Sequence, residues 1–118
     1  MQKRGFIYIM SVDGCPDVLK LGMSKNPEIR ARQLSSETAA VGEFKVEWAG
    51  EVPNMEIAER ILHDTFRQFH KRSEFFRIEI NHARRTAIYI CKSLWKVADD
   101  AKKVWILELE VELKNFQP

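Results

Sequence analysis

Two short runs near the start, Phe6-Ile7-Tyr8-Ile9-Met10 and Val18-Leu19-Lys20-Leu21-Gly22, constrain this chain more than any other feature. The first is rich in aromatic and β-branched residues, which suit a pleated, half-buried surface, and the second is apolar but for Lys20 and Gly22. The Val12-Asp13-Gly14-Cys15-Pro16 segment between them is full of turn chemistry. Together they predict a β-hairpin. Centring it on Gly14 sets Tyr8 opposite Lys20, with Cβ atoms about 4.5–5.5 Å apart, and a one-residue slip would break that pairing.

The remaining elements follow from local signals. Asn26-Pro27-Glu28 supplies an N-cap, a proline at the first helical position and an early carboxylate, predicting a helix to about Ser36. Phe44 to Val52 reads as a third strand, ended by Pro53 and Asn54. A second helix is expected over Met55–Phe69, where Ala58, Ile61, Leu62, Thr65, Phe66 and Phe69 recur at helical spacing. Lys71-Arg72-Ser73-Glu74 reads as a polar connection, and a third helix is expected over Asn81–Lys102. Leu107-Glu108-Leu109-Glu110-Val111-Glu112-Leu113 alternates apolar and acidic residues, the pattern of a strand with one buried face. The expected order β-β-α-β-α-α-β describes a small α/β (α+β) domain with a mostly antiparallel sheet and flanking helices. One domain is expected over 1–118, with a C-terminal helix and strand in 80–115.

With 118 residues, 45% of them hydrophobic and 31% charged, the chain has the size and apolar content of a single folded domain and not of a disordered tail. No apolar run reaches the roughly 18 residues of a membrane span, and no signal-peptide core follows Met1, so a soluble, unexported, cytoplasmic chain with no membrane partner is expected. Cys15 and Cys91 lie far apart without metal-ligand spacing and read as reduced thiols. A net charge of +2 is too small for binding nucleic acid by bulk charge alone, so placed residues must matter more.

Several positions stand out chemically. Lys20 interrupts an apolar strand on the same side as Gly22; alone, it reads equally well as a solvated strand residue, and Tyr8 as a core or rim aromatic. Glu59 falls at the edge of the second helix's apolar arc beside Leu62 and Phe66, with His63 one turn on. A half-desolvated carboxylate there suits a divalent ion, an arginine or proton transfer, against the plainer alternative of a rim salt bridge. Arg30 shares the face of Leu34 and leans inward, where its planar fork can clamp a phosphate, whereas Arg32 points to solvent. Lys71, Arg72, Arg77, Arg84 and Arg85 form a second basic concentration, either a solubilising surface or a DNA track.

Phe6-Ile7-Tyr8, Lys20-Leu21-Gly22-Met23-Ser24, Arg30, Leu34, Glu59 four before His63, Phe66 and Glu74-Phe75-Phe76 also form an ordered set. In order and spacing it resembles the GIY-YIG endonuclease superfamily, most of all its phage T5 open-reading-frame 172 branch, over about residues 5–78. Two departures accompany the resemblance: Lys20 stands where the second motif usually has tyrosine, and Phe6 where the first has glycine. The resemblance implies an Mg²⁺-dependent DNA endonuclease, with Mn²⁺ as a substitute. It implies Tyr8 as the group taking the proton from water, assisted by Lys20, Arg30 as the transition-state cation and Glu59 as the single carboxylate on the metal. His63 would orient Glu59 or contact the phosphate. Arg30, Lys71, Arg72 and Arg77 are the expected nucleic-acid contacts.

Two other classes compete: a nucleic-acid-binding module of the same fold that lost cleavage, and an assembly protein joined through the last strand. Leu107, Leu109, Val111 and Leu113 are expected to be buried, either closing the chain's own sheet or pairing across a twofold. A double-strand break needs two sites, which favours the homodimer. No separate recognition domain is visible, so low sequence specificity or a targeting partner is expected. Phage, mobile-element and genome-defence roles all suit such a chain.

Overall fold

The computed structural model describes residues 3–37 and 42–115, without the side chains of 104–106, 108, 109, 112, 113 and 115. Strands β1 (Gly5–Val12) and β2 (Leu19–Ser24) form the expected hairpin. Its register differs from the expected one. Two successive turns, closed by the Cys15 N–H on the Val12 carbonyl at 3.1 Å and the Val18 N–H on the Cys15 carbonyl at 3.2 Å, move the centre from Gly14 to Cys15. Gly14 occupies the left-handed position of the first turn at φ 84°, which a side chain would strain. Tyr8 therefore lies opposite Gly22, and Lys20 opposite Met10. Tyr8 and Lys20 are not cross-strand partners, but they remain diagonal neighbours on one sheet face.

Helix α1 (Pro27–Glu37) starts where its cap predicts, with Asn26 Oδ1 accepting the Ile29 N–H at 3.1 Å. Strand β3 (Phe44–Val52) pairs with the other edge of β1, with a bulge between Ile9 and Met10. Helix α2 (Met55–Thr65) is capped by Asn54, whose Oδ1 accepts the Ile57 N–H at 3.2 Å. It stops short of Phe69, and a single 3₁₀ turn covers Arg67–Phe69. The stretch read as a polar connection, Lys71–Glu74, instead holds most of strand β4 (His70–Arg72) and the turn at Ser73, with φ 50°, that leads into β5 (Phe75–Phe76). Strands this short cannot display an alternating pattern. The sheet is antiparallel throughout, in the order β3-β1-β2-β5-β4.

Helix α3 (Ile80–Asn115) replaces the expected last strand, so the order is β-β-α-β-α-β-β-α. Its start is fixed by Glu79, whose carboxylate accepts the Asn81 and His82 N–H groups at 3.0 and 2.9 Å. Once begun, a helix gains a hydrogen bond per added residue, and the Leu, Glu and Lys of residues 107–114 are good helix formers. The sheet ends in β3 and β4 and does not pair with this segment. The expected burial also fails: Leu107 is 60% and Val111 56% exposed, while the side chains of Leu109 and Leu113 lie outside the described ones. Pairing through a strand of Leu107, Leu109, Val111 and Leu113 is thereby excluded for this conformation.

Parity along β1 and β2 sorts the core into two layers. Odd residues, among them Ile7, Ile9, Leu19 and Leu21, face α2 and α3, where Leu62, Phe66, Ala83, Ala87 and Ile90 close over them. Even residues, among them Tyr8 and Met10, face α1 and pack with Ala31, Leu34 and Phe44. Among the described residues no helix is long and apolar enough to cross a membrane.

Candidate functional site

The site grows from the even face of the β1–β2 hairpin. Tyr8 is 1% exposed, and the hydroxyl end of its ring sits against Gly22: a Cβ there would sit 2.5 Å from the phenol oxygen and 2.6 Å from the carbon that bears it. Only glycine leaves room for the ring at this point. The guanidinium of Arg30, one turn into α1, donates a hydrogen bond to the Tyr8 hydroxyl. Burial, then the negative charge of Glu74, push the Tyr8 phenol up to about 12; Arg30 opposes them by charge and hydrogen bond, and Glu59 adds to the rise. At neutral pH the phenol keeps its proton.

Lys20 is the one charged side chain buried among the described residues, at 6% exposure. Such a group needs a partner, because an unpaired charge in a low-dielectric interior is costly. Its Nζ donates to Glu74 Oε2 at 2.6 Å and lies 5.2 Å from the Phe75 ring centre. Lys20 was expected to act on Tyr8 by charge. Instead its charge is met by Glu74, and the cation that touches the phenol is Arg30. Glu74 is a residue that sequence reasoning did not single out for a role, although it stands inside the Glu74-Phe75-Phe76 segment. A lysine in the middle of an apolar strand was the available signal, since its burial would demand an acidic partner.

Glu59 and His63 reach the same place from α2, along the far edge of β2. Strand β5 pairs with β2 only at Leu19 and Lys20, so β2's outward backbone groups beyond that point need other partners. The Leu21 N–H donates to the Glu74 carbonyl at 3.0 Å. His63 Nε2 donates to the Leu21 carbonyl at 2.6 Å, and the imidazole packs 4.9 Å from the Phe76 ring centre. The Met23 N–H donates to the Glu59 carboxylate. One α-helical turn of four residues rises about 6 Å, close to the ~6.8 Å between alternate residues of a strand, so the Glu59/His63 pair matches Met23/Leu21 in step. Burial and the Glu74 charge raise the Glu59 pKa, against the lowering effects of His63, Lys20 and the Met23 N–H. Glu59 and His63 also line a shallow hollow of about 360 Å³ with Glu56, Arg60 and Asp64.

Tyr8, Lys20, Arg30, Glu59 and His63 are thus gathered along β2 between Lys20 and Met23, with Glu74 acting on both Tyr8 and Glu59. The expected DNA contacts Lys71, Arg72 and Arg77 are all exposed, on β4 and just after β5. In the sheet they are separated from Tyr8 by β2 and β5, so they form a flank and not part of the cluster. Lys71 and Arg77 share a second hollow with Phe69 and His70.

A family model described as the T5orf172 domain matches residues 5–96. The chain belongs to the T5orf172 domain family. The matched span of this T5orf172 domain contains every residue of the cluster and the whole sheet, and ends within α3 just past Trp95, whose indole N–H donates to the Glu51 carbonyl at 2.8 Å. No curated protein and no solved structure matches the chain.

Proposed function

We propose that this T5orf172 domain is a metal-dependent DNA endonuclease of the GIY-YIG type, hydrolysing phosphodiester bonds. The observation that carries it is the convergence of a buried phenol, a guanidinium bonded to it and a half-buried carboxylate along β2. A family of this kind is compatible with a nuclease-like or DNA-associated role.

Glu59 suits a hard divalent cation on two counts: it offers carboxylate oxygens, and its anionic form is under-compensated, since burial and Glu74 both disfavour it. It is the residue that would hold one Mg²⁺, or Mn²⁺ in its place. When bound, such an ion would polarise a phosphate oxygen and offset the Glu59 charge, which adds to the larger effects of burial and Glu74 in holding the proton on Tyr8.

The chain's own residues divide the remaining work. Tyr8 receives the proton of the attacking water at its phenol oxygen once in the phenolate form, which the Arg30 hydrogen bond favours. Arg30 also faces the growing charge on the phosphate, a positioned electrostatic effect of about 3–4 kcal/mol by analogy with oxyanion donors. Lys20 positions Glu74 and limits its field on Tyr8 and Glu59. His63, already held on the Leu21 carbonyl, positions Glu59 by fixing α2 on β2. Lys71, Arg72 and Arg77 extend the phosphate contacts along the strand.

Supercoiled plasmid and single-stranded DNA incubated with and without Mg²⁺, read on a gel beside a filter-binding assay, test this function. Mg²⁺-dependent nicking or linearisation is expected. Retention of DNA without cleavage would replace the nuclease with a binding module, and neither cleavage nor retention would overturn both.

A further inference from the structure

Beyond Trp95 the long helix leaves the body of the domain. Its buried residues, Ala83, Ala87 and Ile90, all lie in the first part, and every described side chain after Ala98 is exposed. The family match also ends at 96, so residues 97–115 are an addition to the domain and not a part of its core. At 1.5 Å per residue this addition is about 28 Å of helix. An extended helix exposing apolar side chains calls for a partner surface.

The exposed apolar side chains among the described ones follow a seam. Val97, Ala101, Leu107 and Val111 are all exposed, and with Val104 from the sequence they recur at three and four, with valines at 97, 104 and 111 in one heptad position. We propose that residues 97–115 of two copies pair as an antiparallel two-helix coiled coil. Charge complementarity selects both the occupant and the direction. In a parallel pair Asp100 and Lys114, which share the heptad position of Leu107, would each face their own copy across the seam, a like-charge contact at both ends. Antiparallel pairing that sets Val104 against Leu107 of the other copy removes both clashes and brings Asp100 within a turn of Lys114. It also places Lys103 beside Glu110 at the flanking positions, twice by symmetry, and both residues are exposed. The dimer holds two copies of the β2 cluster in one particle without adding any residue to either.

The test is sedimentation equilibrium of the full chain, with helicity and thermal melting as folding controls. A concentration-dependent dimer is expected. Leu107→Lys should give a folded monomer, because the residue lies outside the domain's core. Lys103→Glu should weaken the dimer about tenfold, since two symmetric pairs turn from attractive to repulsive at roughly 0.2–1 kcal/mol each. Lys103→Glu with Glu110→Lys should restore it. A chain that stays monomeric at 100 µM overturns the dimer. Restoration of Lys103→Glu by Glu108→Lys and not by Glu110→Lys overturns the antiparallel direction, because Glu108 is the parallel partner. DNA cleavage plays no part in these readouts, so their outcome is separable from that of the nuclease assay.

Discussion

Gly22→Ala tests whether the Tyr8 ring is locked by its close approach to β2. Gly22 has ordinary extended backbone, so adding a methyl group there should in isolation stabilise the chain by about 0.4–1 kcal/mol, through reduced freedom of the unfolded state. The structure reverses the sign. The new Cβ would sit 2.5 Å from the phenol oxygen and 2.6 Å from the ring carbon bearing it, against an optimal carbon contact of about 3.5–4.0 Å. The ring would have to shift by roughly 1 Å in a site where Tyr8 is 1% exposed and bonded to Arg30. Overpacking of this kind costs about 1–3 kcal/mol. Urea denaturation followed by tryptophan fluorescence should show the midpoint falling by about 0.5–1.5 M. In a Tyr8→Leu background the obstacle is gone, and Gly22→Ala should become neutral or stabilising, a coupling of at least about 1 kcal/mol between the two sites. Equal effects of Gly22→Ala in both backgrounds, or a loss below about 0.5 kcal/mol with Tyr8 present, would refute the close approach as the reason for glycine.

Other substitutions separate the remaining roles. Tyr8→Phe keeps the ring and should lower cleavage by about 10²–10⁴-fold on the plasmid gel while leaving urea stability within about 1 kcal/mol of the parent. Glu59→Gln should abolish Mg²⁺-dependent cleavage yet leave metal-free filter binding equal or stronger, since a negative charge has gone, whereas Arg30→Ala should weaken both; retained activity in Glu59→Gln would remove it as the metal ligand. Lys20→Met removes the cation from the buried pair and leaves a Glu74 that water partly reaches, so a loss of about 1–2 kcal/mol in urea stability is expected, most of which Lys20→Met with Glu74→Gln should recover. Glu79 has its pKa lowered from 4.5 by the Asn81 and His82 N–H groups, so its contribution to stability is present above that value and is lost as the pH falls through the lower folded value. The drop in melting temperature between pH 6 and pH 3 should therefore be smaller in Glu79→Gln than in the parent chain.

Signals that act over a few residues were legible in the sequence because their physics is local. Asn26 and Asn54 announce their helices by capping them, Phe44–Val52 is a strand with the expected bounds, and helical spacing identifies α2. The order of Tyr8, Gly22, Arg30 and Glu59 was legible through a family resemblance, and the family match spans all four. What escaped depended on contacts outside the segment in question. The hairpin register was missed by two residues because two consecutive turns, and not one centred on Gly14, connect the strands. Strands β4 and β5 escaped because a three-residue and a two-residue strand exist only through pairing with β2 and each other.

The sequence by itself supplied Tyr8, Lys20, Arg30, Glu59 and His63 as candidates but not Glu74, together with the helix starts and the apolar parity that puts Tyr8, Lys20 and Gly22 on one side of a hairpin. Tertiary structure decided the connections among them. It gave the buried Lys20 to Glu74 and gave Tyr8 to Arg30, because a buried charge takes the nearest opposite charge and sequence spacing does not say which that is. It also decided the fate of Leu107 to Leu113. Their alternation fits a strand, but a strand forms only against another strand's unpaired edge, whereas a helix satisfies its own backbone, so the segment continued α3.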